Sequence, residues 1–107
     1  MDGDLYDLDI SVTETEGHAL VRAAGVLDVA TAPRLRVELV RLLERGVHDV
    51  TIEMARLEFI DSTGLAALIF GLRRLRDAGG NLTLHSPDPK AMKTLTITGL
   101  TQVFTIT

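Results

Sequence analysis

Ile60-Asp61-Ser62-Thr63-Gly64 stands at a change of period in the chain. Upstream, Val50, Ile52 and Met54 alternate with polar residues, the spacing of a strand with one buried face. Downstream, Leu65, Leu68, Ile69, Leu72 and Leu75 recur at helical spacing until Gly79-Gly80. The motif is therefore a strand end followed at once by a long apolar helix that begins near Ser62. Strands and helices that alternate along a short chain pack as an α/β fold, so this junction decides the fold class.

The alternation continues in both directions. Toward the N-terminus, Thr31 to Arg45 reads as a helix, with Ala32, Leu35, Leu39, Leu42 and Leu43 on one face. Thr31 is placed to cap it, Pro33 suits its first turn, and Gly46 suits the left-handed position after its end. Before it, Leu8, Ile10 and Val12 and then Ala19 to Ala24 read as a hairpin turning at Glu16-Gly17 and ended by Gly25-Val26-Leu27-Asp28. Toward the C-terminus, Leu82 and Leu84 mark a strand and Ser86-Pro87-Asp88-Pro89 a turn. A short helix from about Lys90 to Ile97 and a last strand over Val103 to Ile106 complete the reading. The expectation is an α/β fold: one domain over 1–107, with a mixed sheet of four or five strands. Right-handed crossovers should put the helices mainly on one face.

A chain of 107 residues, 46% hydrophobic and 24% charged, is long enough to bury a core without a metal or disulfide. It has no cysteine, which removes thiolate metal sites and thiol nucleophiles and suits a reducing compartment. The longest apolar stretch, Leu65 to Leu72, is interrupted by Gly71 and far short of a membrane span. Six of the fifteen acids fall within residues 1–16, where there is no base, which is opposite to a secretory signal. A cytoplasmic protein is expected, with residues 1–7 as a frayed acidic terminus and no direct membrane insertion. A net charge of −4 with one tyrosine and no tryptophan argues against nucleic acid as a partner.

Several chemistries fail on spacing. His18, His48 and His85 have no partner at metal-ligand spacing, so no metal and no cofactor is expected. There is no glycine-rich phosphate loop. A nucleophile elbow needs glycine two residues before Ser62, where Ile60 stands. An aspartic-protease motif would need Asp-Thr-Gly or Asp-Ser-Gly, and here an extra residue intervenes. No catalytic constellation remains, so an enzyme is not expected.

Ser62 has two readings. As a structural residue it caps the helix, its hydroxyl accepting an N–H that lacks a partner, and Gly64 lets the chain approach closely. As a functional residue it stands where a helix N-terminus tolerates a phosphate, which would project about −1.5 to −2 charges at a docking partner.

The stretch Phe59-Ile60-Asp61-Ser62-Thr63-Gly64-Leu65 resembles the signature of the STAS domain, in particular the bacterial anti-sigma-factor antagonists. Three further segments match in order: Gly25-Val26-Leu27-Asp28 with Thr31-Ala32, then Ala78-Gly79-Gly80, then Thr98-Gly99-Leu100. The resemblance runs from about Leu8 to Phe104. It implies a cycle in which the unphosphorylated antagonist binds an anti-sigma factor with serine kinase activity and releases the sigma factor. That kinase phosphorylates Ser62 and ends binding, and a metal-dependent serine phosphatase restores it. Glu53 stands where many relatives carry aspartate and Arg56 where a small turn residue is common; neither touches the Asp61-Ser62-Thr63-Gly64 motif. The same fold is also compatible with a constitutively bound STAS subunit of a membrane-transport or lipid-trafficking complex.

Three expectations concern residues. Ser62 is the phosphoacceptor and Thr63 is not, with Asp61, Ser62, Thr63 and Gly64 forming part of the partner surface. Asp28 shares that surface if strand ends align on one edge; otherwise it only holds its own loop. Phe70 falls about 140° from Leu65 on the helical wheel, flanked by Ala66, Ala67, Arg73, Arg74 and Asp77. It is either an outward docking anchor or a ring filling the groove against the first helix.

Overall fold

Leu8, Ile10 and Val12 fall opposite Gly25, Ala23 and Val21, so the expected hairpin forms with its apolar residues in register. The computed structural model describes residues 7–107. Asp2 and Asp4 of the acidic terminus lie outside the described residues. At Asp7, where the described residues begin, the carboxylate meets the Arg34 guanidinium at 2.6 Å and the carbonyl accepts the Val26 N–H at 3.1 Å.

The hairpin strands are β1 (Leu8–Thr15) and β2 (His18–Leu27), followed by α1 (Ala32–Glu44) and β3 (Asp49–Ile60). Then come α2 (Ser62–Asp77), β4 (Asn81–His85), α3 (Pro89–Ile97), a 3-10 turn at Leu100–Gln102 and β5 (Thr105–Ile106). The strands lie in sequence order, β1-β2-β3-β4-β5. Only β1 is antiparallel to its neighbour; β2, β3, β4 and β5 are parallel, so the sheet is mixed as expected.

One face of the sheet carries Val21 and Ala23 from β2, Val50, Ile52 and Met54 from β3, and Leu82 and Leu84 from β4, all buried. Leu35, Leu39 and Leu42 of α1, Leu68, Leu72 and Leu75 of α2, and Ala91 and Leu95 of α3 join them in one core. Residues of the opposite face, such as Arg22, Glu53 and His85, are less covered, and Arg22 meets Glu53 across β2 and β3 at 3.7 Å. Leu39 of α1 lies against Gly71 of α2, where the two helices pack together.

Four boundaries differ from the sequence reading, each for a physical reason. The β2 strand continues through Gly25-Val26-Leu27 instead of ending there. Gly25 takes φ 107°, and any side chain at that position would collide with the Asp7 carbonyl. The β3 strand runs past Met54 to Ile60, but two register shifts against β2 move its inward residues to Leu57 and Ile60. Thr31 is buried at 4% exposure and does not cap α1 through its side chain; its hydroxyl donates backwards to the Val26 carbonyl at 2.7 Å. The last strand shrinks to Thr105–Ile106, because Val103 follows the 3-10 turn and Phe104 turns into the core.

Candidate functional site at the β2 and β3 strand ends

Parallel pairing of Leu27 with Ile60 brings the ends of β2 and β3 side by side. The loop from Asp28 to Thr31 and the start of α2 therefore share one edge of the sheet, as ligand-bearing loops do in α/β folds. The Asp61 N–H donates to the Leu27 carbonyl at 3.1 Å and continues the pairing one step beyond the strands.

Asp61, not Ser62, is the N-cap of α2. Its backbone is extended, with φ −101° and ψ −175°, and its carboxylate accepts the Gly64 N–H at 2.9 Å. This corrects the capping role expected of Ser62. Aspartate caps as well as serine does, and the strand ends one residue earlier, so Ser62 is already helical. The second carboxylate oxygen of Asp61 accepts the Val29 N–H at 3.2 Å. One side chain thus holds the start of α2 and the loop after β2 at the same time.

The β2–α1 loop is braced from its own side as well. Asp28 Oδ1 accepts the N–H groups of Ala30 at 3.0 Å and Thr31 at 3.1 Å. The Asp28 N–H donates to the Thr31 hydroxyl at 2.9 Å, and the Ala32 N–H reaches the Asp28 carbonyl at 2.8 Å. Asp28 therefore does hold its own loop, and it also stands beside the α2 N-terminus.

Ser62 is exposed in the first turn of α2, whereas Thr63 next to it is half-buried. Gly64 is buried; a Cβ there would overlap the Leu27 carbonyl oxygen and lie 2.9 Å from Leu27 Cγ. Only glycine lets α2 start this close to β2. The N–H groups of Ser62 and Thr63 have no intrahelical carbonyl to reach, so the helix mouth keeps a partial positive charge.

Two apolar side chains of this edge were not singled out from the sequence. Val29 is 68% exposed in the loop beside Asp61, and Phe59 is 51% exposed two residues before it. Phe59 and Ile60 are consecutive apolar residues in one strand, and alternation sends one of them outward; that was the available signal. Val29 sits in a loop, where no periodicity marks it.

The structure brings Asp28, Asp61, Ser62, Thr63 and Gly64 together and keeps Phe70 apart. Phe70 lies eight residues along α2 from Ser62, a rise of about 12 Å. It is half-buried, with Arg36 of α1 at 4.6 Å and Arg74 at 5.5 Å from its ring centroid. It is neither a fully exposed anchor nor a core residue. The buried arc of α2 is wider than the leucine stripe and includes Gly64, Ala67 and Gly71. Ala67, expected beside Phe70 on the outer face, is fully buried.

No three His, Cys, Asp or Glu side chains cluster at metal-binding distance among the described residues. No helix among them is long and apolar enough to cross a membrane.

The family model described as the STAS domain matches residues 9–107. The chain belongs to the STAS domain family. Among its relatives, the anti-sigma-B factor antagonist of Bacillus subtilis (strain 168) is 32% identical over 100 residues, covering 94% of this chain and 91% of that protein. Among solved STAS structures, a putative anti-sigma factor antagonist from Thermotoga maritima superposes with TM-score 0.84 at 20% identity, over 91% of this chain and 84% of that one. The anti-sigma factor antagonist SpoIIAA, unphosphorylated, gives TM-score 0.81 at 21% identity over 92% of this chain and 88% of its own. Its phosphorylated form gives 0.74 at 22% identity over 92% and 91%. These likenesses establish the STAS fold, with the Asp61 junction at the edge of its parallel strands.

Proposed function

We propose that this STAS domain is an anti-sigma-factor antagonist that docks an anti-sigma factor with serine kinase activity through the edge holding Asp28, Val29, Phe59, Asp61 and Ser62. In this reading Ser62 is the phosphoacceptor whose modification ends docking. The Bacillus subtilis relative, similar over nearly the whole of both chains, supports the partner class. The observation that carries the switch is the placement of Ser62. It is the exposed hydroxyl of the α2 first turn, on a backbone fixed by Asp61 from both sides and next to two exposed apolar side chains.

The mechanism follows from solvation. Docking covers Val29 and Phe59 and removes water from Ser62 on the same edge. A phosphate on Ser62 finds its own N–H and that of Thr63 at the helix mouth, so the domain keeps its fold. It also adds about −1.5 to −2 charges beside Asp28 and Asp61. Burying that dianion against a surface shaped for a neutral serine costs several kcal/mol, enough to dissociate a moderate complex without moving the backbone. Thr63 is the poorer acceptor, because the residue is half-buried where Ser62 is exposed. The chain is thus a substrate of the kinase and of a metal-dependent serine phosphatase, and performs no catalysis itself.

The testing experiment combines the chain with candidate histidine-kinase-like anti-sigma factors encoded nearby. Wild type and Ser62→Ala should bind without ATP, Ser62→Asp should not, and ATP should release only the wild type. Binding by Ser62→Asp equal to wild type would refute the switch. Transporter subunits as the encoded neighbours, bound irrespective of the residue at 62, would favour a constitutive subunit instead.

A further inference from the structure

Along the outer seam between α1 and α2, Arg36, Ala66, Ile69, Phe70, Arg73, Arg74 and Asp77 line an open groove of about 500 Å³. Its floor is apolar, from Ala66, Ile69 and the Phe70 ring. Its rim holds three guanidinium groups against one carboxylate, in a chain whose overall charge is −4. Arg22, Arg34, Arg41 and Arg45 make the ion pairs recorded among the described residues; Arg36, Arg73 and Arg74 make none of them.

Arg36 and Arg74 lie over the Phe70 ring, and that placement has a chemical consequence. A guanidinium attracted to an aromatic ring is held by cation–π contact and still carries its N–H fork for a further partner. Such a fork suits a carboxylate in bidentate geometry, and the ring has already restricted its rotamers, so less ordering entropy is lost on binding. The groove combines an aromatic and aliphatic floor with prearranged carboxylate receptors.

We propose that this groove is a second docking site, distinct from the Ser62 edge, for an acidic segment of a protein partner that presents carboxylates around an apolar anchor. The charge of the rim selects acidic over basic segments, and the floor selects an anchored peptide over a bare anion. Eight residues of α2 separate Phe70 from Ser62, a rise of about 12 Å, so binding in the groove is compatible with either state of the serine. The site does not depend on the identity of the partner at the Ser62 edge.

The test selects a displayed random-peptide library on the full chain and measures enriched peptides by fluorescence anisotropy. Expected are peptides with aspartate or glutamate flanking a large apolar residue. Their affinity should fall about tenfold or more in Arg36→Glu, Arg73→Glu and Phe70→Ala and hold in Ser62→Asp. The two arginine variants keep the test decisive if Phe70→Ala loses stability. Affinity that falls in Ser62→Asp but not in the groove variants would overturn the separate site while leaving the Ser62 edge intact. Enrichment of basic or uncharged peptides, or of none, would overturn the proposal. So would binding to phosphatidylglycerol vesicles that the groove variants abolish, since a membrane and not a protein would then be the occupant.

Discussion

Replacing Asp61 separates the two hydrogen bonds that fix the candidate site. In Asp61→Ala the Gly64 N–H loses its cap, at a cost of about 0.5–2 kcal/mol. The Val29 N–H loses its acceptor as well, and because that contact is solvent-exposed it contributes about 0.5–1.5 kcal/mol. The total expected is about 1–3.5 kcal/mol, and for a chain of this length roughly 4 °C of thermal midpoint accompanies each kcal/mol. Asp61→Asn should behave differently. Asparagine caps as well as aspartate, so the Gly64 bond survives, but its amide end offers Val29 another donor. Only the second bond is lost, and the cost drops to about 0.5–1.5 kcal/mol. Urea titration of the three proteins gives the free energies, and amide exchange gives the location. In Asp61→Asn, Val29 should exchange faster while Gly64 stays protected. Equal destabilisation by alanine and asparagine, or a loss below about 0.5 kcal/mol in the alanine variant, would refute the two-sided role assigned to this carboxylate.

Other substitutions probe the supports of the same edge. Gly64→Ala forces a methyl against the Leu27 carbonyl and should destabilise by about 1–3 kcal/mol in urea titration, since backbone lies on both sides of the overlap. Asp28→Ala removes the acceptor for Ala30 and Thr31 and should cost about 1–2 kcal/mol of stability. Any loss of partner affinity beyond the unfolded fraction, read by calorimetric titration of the folded protein, measures direct contact. Phe59→Ser removes an exposed ring and should leave the urea midpoint nearly unchanged while weakening partner binding by about 1–3 kcal/mol.

What the sequence conveyed follows the reach of periodicity. The helices declared themselves because Leu35, Leu39 and Leu42, and Leu65, Leu68, Leu72 and Leu75, each face a single core. The strand ends did not. In β3 the inward residues pass from Met54 to Leu57 to Ile60, and register shifts erase the two-residue alternation that marks a strand. The edge holding Ser62 could be located from the Asp61-Ser62-Thr63-Gly64 motif, because a helix start is a local event. Its division of labour could not. Whether Asp61 or Ser62 caps the helix depends on where β3 releases the chain, and the Asp61–Val29 bond joins residues 32 apart. Phe70 shows the same limit. The wheel placed it opposite the leucine stripe, but Ala67 and Gly71 are buried too, Gly71 against Leu39 of α1, and the wider buried arc carries Phe70 to the edge of a groove.

Phosphosite mapping tests the central claim most directly. The chain and its Ser62→Ala variant are incubated with the anti-sigma kinase and ATP, and the modified residue is located by fragmentation mass spectrometry. The account predicts a single phosphate on Ser62 in the wild type and none in Ser62→Ala, with the half-buried Thr63 unmodified in both. Phosphate on Thr63, or undiminished phosphorylation of Ser62→Ala, would contradict it.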